Sequence, residues 1–289
     1  MSRVPFRNVR DNALKKSSNV HSASPMALIR SVGRNRDLLK GLVVREVVGR
    51  YRGSVIGLFW SFFNPILMLA VYTFVFSYVF KARWTEGDGS KTEFALILFS
   101  GLMVFNMFAE CCNRAPTLVT GNAGYVKKVV FPLEILPIVN MGASLFHLLV
   151  SFLVWAIFYA VFMGMPHPSA LLMPVALLPL VFITLGTSWV LASLGVYLRD
   201  VTQVIAVVTM VLMYLSPIFY PVSLMPEQYR PFMQLSPLTS TVERVRAVMM
   251  MGQGIDWVRW GMSMAIAVVV AWLGFAWFQK TRRGFADVL

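Results

Sequence analysis

A stretch of 64 residues, from Ile135 to Leu198, contains no Asp, Glu, Lys or Arg. About 20 apolar residues are enough for a helix to cross the roughly 30 Å hydrocarbon core of a bilayer, so this stretch is too long for one span. The segment Gly164–Pro168 contains one internal turn signal of glycine and prolines, and it divides the stretch into two helices of spanning length. The pattern therefore predicts a chain that crosses the membrane more than once.

Composition extends this prediction to the whole chain. Only 13% of the 289 residues are charged, whereas soluble domains carry about 25%. We expect an all-α polytopic membrane protein with six transmembrane helices, an N-terminal interfacial amphipathic helix and external re-entrant helices. The transmembrane domain covers residues 56–279, and its predicted spans are about residues 56–80, 94–112, 137–163, 171–197, 201–219 and 257–279.

The segments outside the spans differ in composition. Residues 1–31 are polar and basic, which predicts a disordered cytoplasmic tail. Residues 35–52 place apolar and cationic side chains at helical spacing, which predicts an amphipathic helix on the membrane surface. Residues 113–136 are interpreted as a cytoplasmic connection, residues 221–256 as an external segment, and residues 280–289 as a basic cytoplasmic tail.

The positive charge of the chain follows from its orientation. With both termini in the cytoplasm, 19 of the 26 Lys and Arg residues lie on the cytoplasmic side, as the positive-inside rule requires. The net charge of +13 is therefore attributed to orientation and to contact with anionic membrane lipids, and no nucleic-acid partner is expected. The first 55 residues lack an apolar run of signal-peptide type, so the first span is predicted to act as the retained insertion signal.

Motifs for catalysis are missing from the sequence. It contains no GxxxxGK[ST] phosphate loop, no HExxH pair and no Cys/His cluster with the spacing of a metal site. The adjacent Cys111 and Cys112 are interpreted as core or lipid-facing residues, and His147, inside a span, as an interhelical hydrogen-bonding residue rather than a proton relay. This favours a channel-forming subunit driven by a separate motor, with no cofactor or metal bound to this chain.

Three separated motifs occur in order along the chain. They are RYRGSVIGLFW at residues 50–60, followed by Asn64-Pro65, then GNAGYVKKVVFPLEILP at residues 121–137, and LSPLTSTVERVR at residues 235–246. Together they resemble the membrane subunit of ABC-type polysaccharide exporters, a family that includes the O-antigen and teichoic acid exporters. The second motif is similar to the cytoplasmic coupling segment of that family, and the third to its external gate-helix region.

The resemblance implies an assembly in the bacterial inner membrane. Two copies of this chain would enclose a wide channel and would join two copies of a cytoplasmic ATP-hydrolysing subunit, which would carry the ATP and Mg²⁺. A lipid-linked glycan made in the cytoplasm would pass through that channel. Two alternatives stay open on the sequence: an integral-membrane enzyme acting on lipid-linked sugars, and an exporter of drugs or other small molecules.

The resemblance also assigns roles to groups of residues. Arg45, Arg50 and Arg52 are candidates for binding the phosphates of a lipid headgroup through charge-assisted hydrogen bonds, and the alternative is simple cationic anchoring. Aromatic faces suit a sliding glycan because their contact with sugar rings is broad and weakly dependent on position; the alternative is packing or lipid contact. The candidate channel-lining residues are Phe59, Phe63, Tyr72, Phe76, Tyr214, Phe219 and Tyr220.

Two further groups concern the motor and the exit. A short helix between Gly121 and Pro132 is expected to enter a cleft on the motor and transmit its closure, and the alternative is a plain cytoplasmic loop. Lys127 and Lys128 would then face the motor, with contact to lipid as their alternative. The coupling candidates are Gly121, Asn122, Tyr125, Lys127, Lys128, Phe131, Pro132 and Glu134. An external helix is predicted from the Ser236 N-cap and Pro237 to a stop at Gly252, and Pro237, Glu243 and Arg246 are its gate candidates, with a plain surface pair of Glu243 and Arg246 as the alternative.

Overall fold

The computed structural model describes residues 24–75, 91–126 and 131–289. These ranges consist of helices and turns, which confirms the predicted fold class. Their α-helices are α1 Pro25–Arg34, α2 Arg36–Arg50, α3 Trp60–Phe74, α4 Lys91–Arg114, α5 Thr117–Thr120, α6 Ala123–Val126, α7 Leu136–Phe162, α8 Met173–Tyr197, α9 Val201–Leu215, α10 Arg230–Leu235, α11 Pro237–Met250, α12 Trp257–Thr281 and α13 Phe285–Val288. Predictions for Phe76, Lys127, Lys128 and residues 1–23 fall outside the described residues.

Five segments of the described chain are long and apolar enough to cross a membrane. They contain α3, α4, α7, α8 and α12 and run over Gly57–Phe74, Thr92–Arg114, Leu133–Phe162, Pro168–Tyr197 and Trp257–Val288. The predicted fifth span, 201–219, is realised as α9, whose 15 residues rise only about 22 Å. It ends at Leu215 because Ser216 precedes a proline and takes an extended conformation, with ψ of 149°.

The N-terminal segment is more ordered than the sequence indicated. A disordered tail was predicted to run to residue 31, but α1 begins at Pro25, and the predicted amphipathic helix begins separately, at Arg36, after a break at Asn35. Leu28 of α1 packs against an apolar cluster that includes Leu133, Trp189 and Phe278, and Ser31 is buried. These tertiary contacts order a segment whose own composition is polar.

Helix α2 lies against the transmembrane helices. Its Leu42 side chain is buried in a small cluster with Ile135 and Val139 at the start of α7. Gly142 of α7 allows close approach, since a Cβ there would lie 2.8 Å from a methyl group of Val43. The amphipathic helix is therefore docked onto the transmembrane helices by its apolar face.

Helix α4 forms the centre of the protomer and α3 its outside. In the apolar windows of these helices, 83% of the residues are buried in α4 but only 11% in α3. A helix that is apolar all round is suited to burial on every side, and α4 packs against α7, α8, α9 and α11. Cys111 and Cys112 are both buried in α4, which confirms their interpretation as core residues.

Helices α8 and α12 form the most extensive helix pair of the described chain. Gly186 and Gly274 meet at their contact, where a Cβ on Gly274 would overlap the carbonyl oxygen of Gly186. Small residues allow transmembrane helices to approach until their backbones touch, and the contact is then held by dispersion forces. The pair fixes one side of the protomer.

Candidate functional site

A polar cavity of about 450 Å³ lies among α3, α4, α7 and the C-terminal end of α2. Its chemistry is mixed, because charged and amide side chains share the wall with aromatic and aliphatic ones. The polar residues that dominate the lining are Arg50, Tyr51, Asn64, Asn106, Glu110 and His147. Polar groups among membrane-spanning helices are costly unless they are paired or face water or a ligand, so this cavity is the candidate functional site.

Three of these residues form an ionic cluster at one end of the cavity. Arg50 Nη2 donates to Glu110 Oε1 over 2.8 Å, and His147 Nδ1 lies 3.1 Å from Glu110 Oε2. The Tyr51 hydroxyl lies 3.3 Å from His147 Nε2. Partial burial raises the pKa of Tyr51, so its hydroxyl stays protonated. His147 thus bonds across helices, as the sequence predicted.

A second ion pair repeats the connection between α2 and α4 with the charges exchanged. Arg50 of α2 pairs with Glu110 of α4, whereas Glu46 of α2 pairs with Arg114 of α4. The partners on each helix are four residues apart and therefore lie on one face. The two pairs fix the register of α2 against the end of α4, at one edge of the cavity.

The three headgroup candidates occupy different environments. Arg45 donates to the Tyr125 hydroxyl over 2.8 Å and lies over the Tyr125 ring, and Arg50 is held by Glu110. Arg52 is exposed, and within the described residues its side chain makes no hydrogen bond or ion pair. Gly53 follows with φ of 88°, a conformation that favours glycine, and turns the chain toward α3. Of the three headgroup candidates, Arg52 is therefore the one whose side chain is available to bind an anion from outside the chain.

The aromatic candidates fall into separate places. Tyr72 lines the cavity. Phe59, just before α3, and Phe63, on α3, are both exposed. At the end of α9, Tyr214 stacks on Phe219 at 5.9 Å between ring centroids, and the Tyr220 hydroxyl donates to the Tyr214 carbonyl oxygen over 3.0 Å. Their assignment to a channel stays a prediction.

Part of the coupling segment forms short helices, as expected between Gly121 and Pro132. Asn122 Nδ2 donates to the Leu118 carbonyl oxygen, which closes α5 at Gly121, and α6 follows directly. The Tyr125 ring stacks on Phe131 with centroids 4.2 Å apart. Because Tyr125 also accepts from Arg45, this segment is tied to α2 and thus to the edge of the cavity.

Glu134 was predicted to contact the motor, but in the structure its side chain is buried inside the chain. Pro132 introduces a 3₁₀ turn that buries the Glu134 carboxylate, which accepts from Ser31 Oγ over 2.8 Å and from Arg282 Nη1 over 2.6 Å. The same residue's carbonyl oxygen accepts from Trp189 Nε1 over 3.0 Å. Glu134 therefore joins α1, the start of α7 and the C-terminal tail inside the protomer.

We expect a double-mutant cycle on Glu134→Gln and Arg282→Gln to give a coupling free energy of about 1–3 kcal/mol, because the pair is largely buried. Thermal unfolding in detergent measures it. Arg283→Gln is the matched control, since Arg283 is exposed beside Arg282. If Glu134→Gln lowered motor-stimulated activity and left the melting temperature unchanged, Glu134 would instead act in motor contact.

The external helix begins and ends where the sequence indicated. It follows Ser236, starts at Pro237 and stops before Gly252, which has φ of 65°. Its apolar face is buried against α4 and α8. Glu243 is half-buried in the middle of the helix.

Arg246 of this helix is buried rather than placed at the surface. Its side chain is only 3% exposed, and its guanidinium donates to the carbonyl oxygens of Ile97, Pro217 and Ile218. The Ile218 contact is 2.7 Å. Arg246 follows Val242 by four residues and so belongs to the buried face, a spacing that was visible in the sequence.

Comparison with known proteins places these features in one family. The family model described as ABC-2 type transporter matches residues 37–250. The chain belongs to the ABC-2 type transporter family. That match includes α2, the cavity, the coupling segment and the external helix, so the candidate site lies within the part of the chain shared with other ABC-2 type transporters.

Curated relatives cover most of this ABC-2 transporter chain. It is 27% identical over 254 residues to the O-antigen export system permease protein RfbA of Klebsiella pneumoniae, a match covering 88% of the chain and 95% of the relative. It is 26% identical to the protein of the same name from Myxococcus xanthus, covering 90% and 98%. It is 20% identical to the polysialic acid transport protein KpsM of Escherichia coli, covering 83% and 92%.

The site contains no metal centre among the residues that the structure describes, where no three His, Cys, Asp or Glu side chains come together. Asn64 lies on α3, whereas Asn106 and Glu110 lie on α4. No sequence pattern showed that these two helices meet, so the sequence did not predict one site that contains all three residues. The family membership and the spanning helices together make this chain a multi-pass membrane protein of a transport system.

Proposed function

We propose that this chain is the channel-forming transmembrane subunit of an ATP-driven exporter that moves a lipid-linked, O-antigen-like polysaccharide across the bacterial inner membrane. The names of the relatives support a polysaccharide cargo, since two export O-antigen and one transports polysialic acid. ATP and Mg²⁺ would bind two copies of a cytoplasmic partner, and both termini of this chain would lie in the cytoplasm.

The observation that carries this proposal is the position of Arg52. It lies exposed at the end of the docked helix α2, two residues from Arg50 at the edge of the polar cavity. A lipid diphosphate at the membrane surface would meet a cation there, with the polar cavity directly beyond it for the groups that the lipid carries. An arginine that served only as an anchor would not need this cavity.

A second copy of the chain is part of the proposal. The outer helix α3 and helix α9 expose many large apolar side chains, among them Ile66 and Leu67 on α3 and Val207 and Met210 on α9. Two copies packed through these helices would enclose a channel, and the exposed Tyr214 and Phe63 would then lie near it.

We expect the Arg52→Ala variant to lose most glycan-lipid stimulation of ATP hydrolysis, because the lipid phosphates lose a charge-assisted contact. The measurement is ATPase activity of the chain with its ATP-hydrolysing partner in lipid nanodiscs, with and without lipid-linked glycan. We expect the glycan-lipid concentration that gives half-maximal stimulation to rise by roughly tenfold, because one such hydrogen bond contributes about a factor of ten to affinity.

Arg36→Ala is the matched control, since Arg36 is an exposed cation at the opposite end of α2. Lipid-linked glycan should stimulate ATP hydrolysis by the Arg36→Ala complex as strongly as it does with the wild type. Equal effects of both changes would reduce Arg52 to an anchor, and a wild-type complex that never responds to glycan lipid would contradict the exporter function itself.

A further inference from the structure

Two amide side chains face the cavity without a protein partner. Asn64 of α3 and Asn106 of α4 both line it, both are exposed, and within the described residues neither makes a hydrogen bond. Asn106 is conspicuous because Phe105 and Met107 on either side are buried. An amide has two donor hydrogens and an acceptor oxygen, and leaving them unused within membrane-spanning helices is costly. The pair therefore points to a polar occupant of the cavity.

The rest of the wall restricts the chemistry of that occupant. The cavity contains an almost neutral ionic cluster, because Glu110 already balances Arg50, so it offers little net charge to a free anion. An acyl chain would leave the amides unpaired. Aromatic side chains at Trp60 and Tyr72 supply broad apolar faces beside the polar groups. Such a wall fits a ligand whose surface alternates between hydroxyl groups and C–H groups. A sugar ring has this kind of surface.

Size and position agree with this chemistry. The volume of about 450 Å³ falls in the range of roughly 300–1,000 Å³ that is common for small-molecule sites. Arg50 and Tyr51, which precede Arg52 in the sequence, both line the cavity. A lipid whose phosphates contact Arg52 would carry its first sugar into the cavity.

We propose that this cavity binds the sugar ring adjacent to the lipid phosphates of the transported glycan. Asn64 and Asn106 exchange hydrogen bonds with its hydroxyl groups, and Trp60 and Tyr72 contact its apolar face. The proposal rests on the exporter function above and specifies a recognition site for it: the chain itself distinguishes a lipid that carries sugar from one that does not.

The test compares the binding affinity of a sugar-free lipid with that of sugar-bearing lipids, on the complete transporter in nanodiscs without nucleotide. The probes are undecaprenyl diphosphate and the same lipid carrying one glucosyl, galactosyl, mannosyl or N-acetylglucosaminyl group. We expect at least one sugar-bearing probe to bind the wild type about tenfold more tightly than the sugar-free lipid, and Asn106→Leu or Asn64→Leu to abolish that preference. Leucine has the same number and branching of side-chain heavy atoms as asparagine, so the cavity keeps nearly its shape.

Two controls separate recognition from a loss of structure. Asn106→Gln retains the amide and should restore part of the preference. Asn113→Leu makes the same change on α4 at an amide whose oxygen already accepts from Thr209, so it should retain the wild-type preference. Binding of the sugar-free lipid should be equal in all variants.

The outcomes distinguish this proposal from the exporter function. Equal binding of sugar-bearing and sugar-free lipids to the wild type, or a preference that survives both leucine changes, would overturn the sugar site and leave glycan-stimulated ATP hydrolysis in place. Failure of every probe to bind, together with no stimulation by complete glycan lipid, would overturn both.

Discussion

Replacing Gly274 by alanine is expected to destabilise the chain by about 2–3 kcal/mol, because overpacking a rigid contact is costly. The added methyl group would overlap the carbonyl oxygen of Gly186 and come within 2.7 Å of its carbonyl carbon. The obstacle is backbone in a second helix, so no side-chain rotation relieves it, and α8 and α12 would have to separate. The apparent melting temperature in detergent, read by loss of the monodisperse chromatographic peak, measures the effect.

Gly261→Ala is the control for this prediction. It makes the same change on α12, at a glycine where a Cβ would meet no heavy atom within 4 Å. Alanine is a better helix former than glycine by roughly 0.5–1 kcal/mol, so this variant should be as stable as the wild type or slightly more stable. Equal melting temperatures for the two variants would show that the glycine contact does not hold α8 and α12 together.

Replacing Arg246 by alanine is expected to cost about 3–5 kcal/mol, the range for removing a buried charged partner. The change would leave the carbonyl oxygens of Ile97, Pro217 and Ile218 without the charged donor that they share. These carbonyls belong to α4 and to the turn after α9. The external helix would therefore lose its attachment to both, and the yield of folded protein and the melting temperature should fall together.

Two other variants define what this arginine does. Arg244→Ala should have a much smaller effect, because Arg244 is only half-buried and its bonds to Ala176 and Ser263 are 3.3 and 3.2 Å long. Gly101→Ala should be destabilising by a separate route, since a Cβ there would lie 2.7 Å from an Arg246 nitrogen. If Arg246→Ala were no worse than Arg244→Ala, the three carbonyl contacts would not be structural.

The arrangement also connects the coupling segment physically to the cavity. Tyr125 of the coupling segment accepts from Arg45 of α2, and α2 is fixed to α4 by two ion pairs at the cavity edge. A displacement of the coupling segment would act on α2 as a rigid element. The Arg50–Glu110 pair joins α2 to α4, and both residues line the cavity, so a movement of α2 would reach the cavity through this pair.

Much of the helical architecture was determined by local sequence. The absence of charge over Ile135–Leu198 required two spans, and the ends of α7 and α8 lie within two residues of the predicted ones. Pro237 and Gly252 fixed the external helix in the same way, because proline at the first turn and a glycine with positive φ are local requirements. The family itself was indicated by motifs whose residues are adjacent in sequence.

The candidate site was decided by tertiary structure. Arg50 and Glu110 are 60 residues apart, and Glu134 and Arg282 are 148 apart. Whether such a charge binds a ligand, a partner or a second helix depends on which helices pack together, which no local pattern contains. The sequence by itself determined how many apolar helices form and, to within a few residues, where they begin and end, because these follow from hydrophobicity and backbone geometry. Only packing could bring Asn64 and Asn106 into one cavity and place Arg246 inside rather than on the surface.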